Sequence, residues 1–498
     1  MQVTLKSRYE KLSTDRNVYL DRARLSAALT LPTLIPQEGH NQNTTYDTPW
    51  QSIGSRGVNN LASKILLALF PPSNPFFRMG IDEAELAKLG AKKADAEKQL
   101  AMFERIIMAD IEDSRTRASL NQAAKHLIAA GNALLFNTPD GEVRMYALSR
   151  YVVKRDAEGN VFEIIAVDNT VWGALSAEFQ AAAVAAGKNH ERDDDVSIYT
   201  GIFRDAQNGQ WNVYQEIEGM AVPGSNGTYP LDASPWIPLR MIAIDGESYG
   251  RGYVEELYGD LNTVDALSQA ITEASAAGAL VKFLVNPNGV TDIDDLTDTP
   301  NGGFAEGLSD DVSVVQVNKS GDLQVALQAM QSIEARLSQA FLLHSSVQRN
   351  AERVTAEEIR FMASELEDAL GGIYSVLSQE LQLPLVQYRI ARLTAMKKLP
   401  PLPEGIKPSI ITGLEALGRS QELQRLRMFI SDAGQTFGPE VLSQYVNVSD
   451  YLKRSAAALN LPTEGLVRAE EEVQQRQQQE AQMQAAQANA TNPQMQGE

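Results

Sequence analysis

Cysteine is missing from all 498 positions. Its absence excludes disulfides, thiolate-held zinc, iron–sulfur clusters and a cysteine nucleophile, and it fits a reducing compartment. Histidine is nearly as scarce. His40, His126, His190 and His344 are scattered, none one helical turn from another, so neither a histidine metal site nor a bound cofactor is expected. The runs G-x-x-x-x-G-K-[ST] and H-E-x-x-H do not occur, which leaves no phosphate-cradling motor loop and no zinc-peptidase helix. Long apolar runs are lacking too. Leu61–Phe70 is interrupted by Lys64 and stopped by Pro71-Pro72, against the roughly 20 apolar residues that a bilayer span needs. The opening MQVTLKSRYEKLSTDR is polar and mixed in charge, unlike a signal peptide, so no membrane insertion is expected. Positive charge is in deficit: 44 Lys and Arg stand against 64 Asp and Glu, giving a net charge of −20 and a pI near 4.8. A surface that coats nucleic acid needs basic patches to neutralise phosphates, so this balance argues against one. It leaves room for a polyanion that passes close by without sticking.

What is present suits a protein with a buried core: 43% of residues are hydrophobic and 22% charged, over a length that suggests about three domains. Residues 1–130 read as helices joined by a polar loop. Tyr46-Asp-Thr-Pro-Trp50 opens a helix whose Ile53, Val58, Leu61, Ile65, Leu66 and Leu69 share one face. A more charged helix is expected over Glu83–Glu112 and another up to Ala130, with Gly131-Asn132 as the stop. Residues 132–245 change period. Short β-prone runs, clearest at Val161–Val167 and Trp211–Ile217, alternate with Asp140-Gly141, Gly159-Asn160, Asn208-Gly209 and Asn226-Gly227, which predicts hairpins of an antiparallel sheet with positive φ at the turn centres. An alanine-rich helix near Glu178–Ala186 interrupts them.

Two apolar stripes follow. Leu257, Leu261, Val264, Leu267, Ile271 and Ala274 lie on a helix expected over Val254–Val285, and Leu323, Leu327, Met330, Ile333, Leu337 and Phe341 on a second over residues 323–343. At 1.5 Å per residue such helices would be roughly 35–45 Å long, and their Ala, Ser and Gln content suits close packing on each other and on copies of themselves. Between them, residues 286–322 carry Asp292, Asp294, Asp295, Asp298, Glu306, Asp310, Asp311 and Asp322 against Lys319 alone, with a short strand at Val312–Val317. His344–Val354 is a polar loop holding Arg349, Asn350, Glu352 and Arg353. Thr355 and Glu358 then form a capping box for a helix toward Lys398, kinked at Gly371-Gly372 and Pro384 and ended by Pro400, Pro401 and Pro403. Residues 410–460 read as helical again, and the last 28, with ten glutamines, as a frayed or disordered tail. The fold class is α+β, predominantly α-helical.

Three chemical readings compete. Gly246-Glu247-Ser248-Tyr249-Gly250 fits the G-x-S-x-G nucleophile elbow, but only His344 lies downstream to complete a triad and parallel βα units are missing, so a tight turn is the plainer reading. The acids at Asp292, Asp294 and Asp295 invite calcium, but the EF-hand pattern fails because its third ligand position is Leu296. A solvated, repulsive loop or a docking patch for a basic partner remains for them. Arg349 and Arg353, with Glu352 at hand, do not by themselves make a nucleic-acid site.

Tyr46-DTPWQSIGSRGVNNLASKILLALF-Pro71, Asp245-GESYGRGYVEE, Thr412-GLEALGR and the run IEARLSQAFLLHSSVQRNAERVTAEEIRFMASELEDALGGIYSVLSQELQLPLV from Ile333 to Val386 resemble the portal, or head-to-tail connector, proteins of short-tailed, autographivirus-type bacteriophages. The resemblance spans roughly residues 8–420. It implies a dodecameric portal ring, without enzymatic activity or cofactor, whose channel passes double-stranded DNA during packaging and ejection. In that plan residues 1–253 form a wing, 254–285 and 323–343 a two-helix stem, 286–322 a clip, 344–354 a channel loop, 355–399 a kinked wing helix, 400–465 a crown and 466–498 a tail. Arg349, Asn350, Glu352 and Arg353 would face DNA, and Asp292, Asp294, Asp295, Asp310 and Asp311 would dock partners at the clip. The implied partners are the terminase large subunit that supplies translocation energy, a tail adaptor, the major capsid and scaffolding proteins and internal core proteins. The implied location is the capsid vertex of the virion, with the host cytoplasm during assembly.

Overall fold

The computed structural model describes residues 4–37, 39–40, 43–71, 76–81, 93–278, 282–315, 320–343, 356–370, 372–399, 408–412 and 419–438, with a few single positions beyond. Helices α1 (Leu5–Ala28) and α2 (Ile53–Leu69) lead to strand β1 (Phe77–Ile81) and helices α3 (Lys93–Asp113) and α4 (Thr116–Ala130). Strands β2 (Asn132–Asn137), β3 (Val143–Tyr146), β4 (Tyr151–Arg155) and β5 (Val161–Val171) precede helix α5 (Ala177–Ala185). Strands β6 (Asp195–Asp205), β7 (Gln210–Ile217), β8 (Met220–Ala221), β9 (Gly227–Pro230) and β10 (Trp236–Arg240) follow. Next come α6 (Tyr253–Gly278), β11 (Lys282–Val285), α7 (Ile293–Asp298), β12 (Val312–Val315) and α8 (Ser320–Ala340). The described elements end with α9 (Ala356–Ala369), α10 (Ile373–Leu377), α11 (Leu383–Ala395), β13 (Pro408–Thr412) and α12 (Arg419–Phe437). The chain divides into two compact units: residues 1–66, 111–349 and 387–391, and residues 67–110, 350–386 and 392–498.

The first unit is built on antiparallel sheets, as the hairpin signals predict. One runs β4-β5-β6-β7-β8 with β9 also on β7, and the other runs β10-β2-β3. Leu134, Tyr146, Tyr151, Ile164, Ile202 and Trp236 are buried together in its core with Leu20, Ala23 and Ala27 of α1. Helix α1 is polar overall, yet it docks on β4 because Arg16 is buried with its Nη1 donating to the Tyr9 hydroxyl and to the Ser149 carbonyl, both at 2.9 Å. Arg8 adds a two-toothed pair with Glu163, 2.6 Å at its shorter contact.

The turns depart from expectation. Gly141, Gly159 and Gly209 take positive φ, but Asp140, Asn160 and Asn208 do not. The loops are instead tied by Asp156 and Asp205, whose carboxylates each accept two backbone N–H groups from the residues that follow. Gly227 is no turn at all; it opens β9. The two-residue hairpin with positive φ at both centres is Glu218-Gly219 (φ 52° and 79°), joining β7 to β8. No Asn-Gly pair announces it.

The first long helix also stops earlier than its stripe suggests. It ends at Gly278, and Lys282–Val285, rich in β-formers, pairs antiparallel with Val312–Val315 instead. The second long helix begins at Ser320 rather than Leu323.

In the second unit, β1 and β13 form a two-stranded antiparallel sheet with Phe77 opposite Thr412. Neither strand was expected; the surrounding stretches read as helical. Buried Glu104 of α3 accepts the Met79 N–H at 2.8 Å, fixing helix to strand. The helix expected to begin at Glu83 is described from Lys93. The breaks near residue 371 and Pro384 do occur. Gly372 takes φ +90°, and a π-helical turn spans Ser378–Gln382 just before Pro384 at the start of α11. Proline has no N–H for an i−4 partner and crowds the preceding turn, and the wider π turn makes room for it. The Tyr374 hydroxyl and the Gln382 amide donate to the carbonyls of Ala68 and Leu69. Thr355 of the capping box and the Gln-rich tail lie outside the described set.

Candidate functional site

The long helix α6 starts at a crossing built without side chains. Gly131 ends α4 in the left-handed region (φ 75°) and sends its N–H to the Leu127 carbonyl at 2.8 Å. A Cβ there would meet the Arg251 carbonyl carbon at 2.3 Å, and one on Gly252 would meet the Ala129 oxygen at 2.7 Å. Asn132 seals the crossing like a strand partner: its Nδ2 donates to the Gly250 carbonyl at 2.7 Å and its Oδ1 accepts the Gly250 N–H at 2.8 Å.

The G-x-S-x-G run resolves at the same place. Its Gly246 takes φ +76°, the Ser248 hydroxyl accepts the Arg155 N–H at 3.3 Å, and the buried Tyr249 hydroxyl accepts the Val153 N–H at 3.0 Å. Burial pushes that phenol well above its ordinary range. The strand before it, β10, sits in an antiparallel sheet. Ser248 is a turn residue bonded to backbone, with no nucleophile's setting.

Helices α6 and α8 run antiparallel. Tyr253 at the start of α6 meets the end of α8, while β11 and β12 pair at the other ends. Helix α6 carries Glu255, Glu256, Asp260, Asp265 and Glu273 and no Lys or Arg. Arg336 of α8 crosses to Asp260 at 2.9 Å. Exposure of both partners keeps that pair weak.

The C-terminal end of α8 is gripped by side chains from elsewhere. The Tyr253 hydroxyl donates to the Ala340 carbonyl at 3.2 Å, Asn60 Nδ2 to those of Phe341 and Leu342 at 3.0 and 3.1 Å, and Lys64 Nζ to that of Leu342 at 3.0 Å. Terminal carbonyls of a helix carry partial negative charge, so a buried ammonium is well placed there. Phe341 is fully buried against Gly57, where a Cβ would stand 2.4 Å from the ring, and Leu342 takes φ +53°. Sequence reasoning missed this clamp, although a lysine inside the apolar run Leu61–Phe70 was a signal for it.

At the tip, the acids divide. Asp311 is buried and faces inward: its Oδ2 accepts from the Val290 N–H (2.9 Å), the Thr291 N–H (3.2 Å) and the Thr291 hydroxyl (3.0 Å). It staples the loop, its carboxylate turned away from solvent. Asp292 caps α7 by accepting the Asp294 N–H at 2.9 Å, and Asp294 and Asp295 sit in that helix's first turn, where negative charge is favoured. Asp310 stays exposed. Among the described residues no group of three or more His, Asp or Glu side chains is placed to hold a metal ion, and no helix is long and apolar enough to cross a membrane. Arg349, Asn350, Glu352 and Arg353 lie outside the described residues, as does His344.

Residues 2–467 match the family model of the bacteriophage head to tail connecting protein. The chain is 45% identical to the portal protein of Escherichia phage T7 over 482 residues, covering 95% of this chain and 89% of that one. It is 32% identical to the portal protein of Enterobacteria phage SP6 over 96% of this chain and 92% of that one. Identity to the portal protein of Pseudomonas phage phiKMV is 31%, over 98% and 97%. The chain therefore belongs to the bacteriophage head to tail connecting family.

Proposed function

We propose that twelve copies of this chain close into a ring at the capsid vertex, with α6 and α8 as the stem lining a channel for double-stranded DNA. In this reading residues 286–322 form the clip, to which the terminase large subunit docks during packaging and the tail adaptor afterwards. The wing, residues 1–253, and the crown, residues 400–465, meet the major capsid, scaffolding and internal core proteins. The observation that carries the reading is α6: 26 residues with five acids and no base, packed on a second helix of the same length class. DNA carries one negative charge per ~1.7 Å of its axis, and screening confines repulsion to about 8 Å at physiological salt. Such a wall keeps DNA off itself at short range without hindering its passage.

Arg349 and Arg353 of the channel loop act as a valve in this scheme, holding phosphates transiently, with Asn350 and Glu352 beside them. Electron microscopy of the purified protein tests the whole reading. Closed rings with a hole wide enough for B-DNA are expected, and single particles or rings without a hole would reject it. Replacing Arg353 by alanine is expected to leave rings intact and loosen DNA retention in filled heads. Replacing Asp292, Asp294, Asp295 and Asp310 together is expected to weaken docking of the motor or adaptor.

A further inference from the structure

Asparagine followed by glycine occurs four times, at Asn208-Gly209, Asn226-Gly227, Asn288-Gly289 and Asn301-Gly302. This dipeptide carries a latent reaction. The backbone nitrogen after the asparagine attacks the carboxamide carbon, and glycine has no Cβ to shield that nitrogen or to restrict the backbone as it turns. The attack needs a carboxamide without strong partners, an amide N–H without an acceptor, and a backbone that turns without displacing its neighbours. The fold withholds one or more of these at three of the sites. Asn208 Nδ2 donates to Asp205 Oδ2 at 2.7 Å, and the Asn208 N–H donates to Asp205 Oδ1 at 3.1 Å. Gly227 lies in β9, where the register with β7, Val213 opposite Gly227, fixes its backbone. The Gly289 N–H already donates to the Asn286 carbonyl at 3.0 Å. A Cβ on Gly289 would stand 2.5 Å from the carboxyl carbon of buried Asp311, so that backbone is packed in place.

Asn301-Gly302 is different. The pair forms the centre of a turn closed by the Gly303 N–H on the Pro300 carbonyl at 2.8 Å. Such a turn leaves its central amides outside the closing hydrogen bond. Among the described residues nothing accepts the Gly302 N–H and nothing bonds the Asn301 carboxamide. Asn301 is exposed, Gly302 holds φ +86°, and no atom lies within 4 Å of where its Cβ would be. Phe304, two residues on, is fully exposed as well. We propose that Asn301 is a self-modification site, at which the chain exchanges a carboxamide for a carboxylate using water alone. The Gly302 nitrogen, deprotonated by hydroxide, bonds to Asn301 Cγ. The Cγ–Nδ2 bond breaks, and ammonia leaves with a proton taken from water, which regenerates the hydroxide. The product is a five-membered succinimide, and water then opens it by adding to either imide carbonyl. Breaking the bond from nitrogen to Cγ gives aspartate. Breaking the bond from nitrogen to the main-chain carbonyl carbon gives isoaspartate, with the chain rerouted through the side chain. No electron is transferred; each event consumes one water and releases one ammonia. Either route adds a negative charge to a stretch that already carries Asp298 and Glu306, and the isoaspartate route lengthens the tip backbone by one bond. The reaction requires neither a ring nor a docked partner.

Full-length protein held at mildly alkaline pH in heavy-oxygen water takes up the label wherever such a ring opens. Digestion at acid pH, where the attack is slow, followed by mass spectrometry, then reads the four Asn-Gly peptides separately. The Asn301 peptide is expected to convert about tenfold faster than the other three, the factor set by one net hydrogen bond that must break before attack. Isoaspartate is expected beside aspartate in that peptide. In denaturing urea the four peptides should convert at similar rates, because they share the dipeptide and the fold no longer separates them. Asp205→Ala is expected to raise the Asn208 rate toward that of Asn301 and to leave Asn301 unchanged. Folded protein in which Asn301 lags or merely matches the other three would overturn the proposal. So would an equal lead for Asn301 in urea, an Asn208 rate unmoved by Asp205→Ala, or aspartate without isoaspartate, the mark of direct hydrolysis.

Discussion

At the scale of single residues, buried polar groups decide what the chain tolerates. His126 is almost fully buried, and desolvation lowers its imidazole from 6.5 to about 4. The folded chain keeps it neutral where the unfolded chain would protonate it, so its contribution is complete above about pH 6.5 and declines as pH falls toward 4. The loss amounts to about 3 kcal/mol. Urea unfolding from pH 7 to 4 checks this: His126→Phe should show a shallower acid limb, and an unchanged limb would count against burial as the cause. Asp311 is the other case. With three donors on its Oδ2, Asp311→Ala leaves two loop amides without a partner and should loosen the tip by about 1–3 kcal/mol, seen as faster proteolysis between residues 286 and 311. Asp295→Ala, an exposed first-turn acid, should leave that rate near the parent's. The acidic composition of this stretch was legible in the sequence; which acid turned inward was not, because that depends on a partner loop twenty residues away.

At the scale of elements, the clamp on α8 sets two opposite expectations. Leu342 holds a positive φ that glycine adopts freely, so Leu342→Gly should raise stability by about 0.5–1 kcal/mol. Lys64→Met removes the ammonium from the Leu342 carbonyl and should cost about 1.5–3 kcal/mol. Denaturant midpoints of the two variants, moving apart from the parent, are the measurement. The long helices, the hairpins of residues 132–245 and the breaks near Gly372 and Pro384 were legible because periodicity and turn chemistry are local. The β1–β13 pair was not: each strand is five residues long, and its partner lies more than 300 residues away, so no local pattern marks either. The same holds for the end of α6. Its apolar stripe fades gradually, and only the partner strand Val312–Val315 shows that Lys282–Val285 has left the helix. Glu218-Gly219 forms the primed turn because the β7–β8 register demands one there, while the Asn-Gly pairs that advertise such turns serve in wider loops.

At the scale of the whole molecule, net charge bears on the proposed ring. Copies of a chain with a net charge of −20 repel one another overall, so the proposed ring should be favoured as salt rises from about 0.05 to 0.5 M, where the screening length shortens below ~8 Å. Sedimentation across that range checks it, and rings that dissociate with added salt would point to intersubunit ion pairs as the dominant contacts. The family was legible from long collinear words such as the run Ile333–Val386. The charge pattern on α6 was legible as well, while the grip on α8 emerged only from the packing of α2. The Gly131–Gly252 crossing carries one more consequence. Asn132 and Gly250 bind each other as two strands do, although 118 residues separate them, and β5 pairs with β6 across the largely exposed stretch 187–194. A chain nicked once in that stretch should therefore remain a single particle, its halves separating only in denaturant, and the two pieces expressed apart should find each other again.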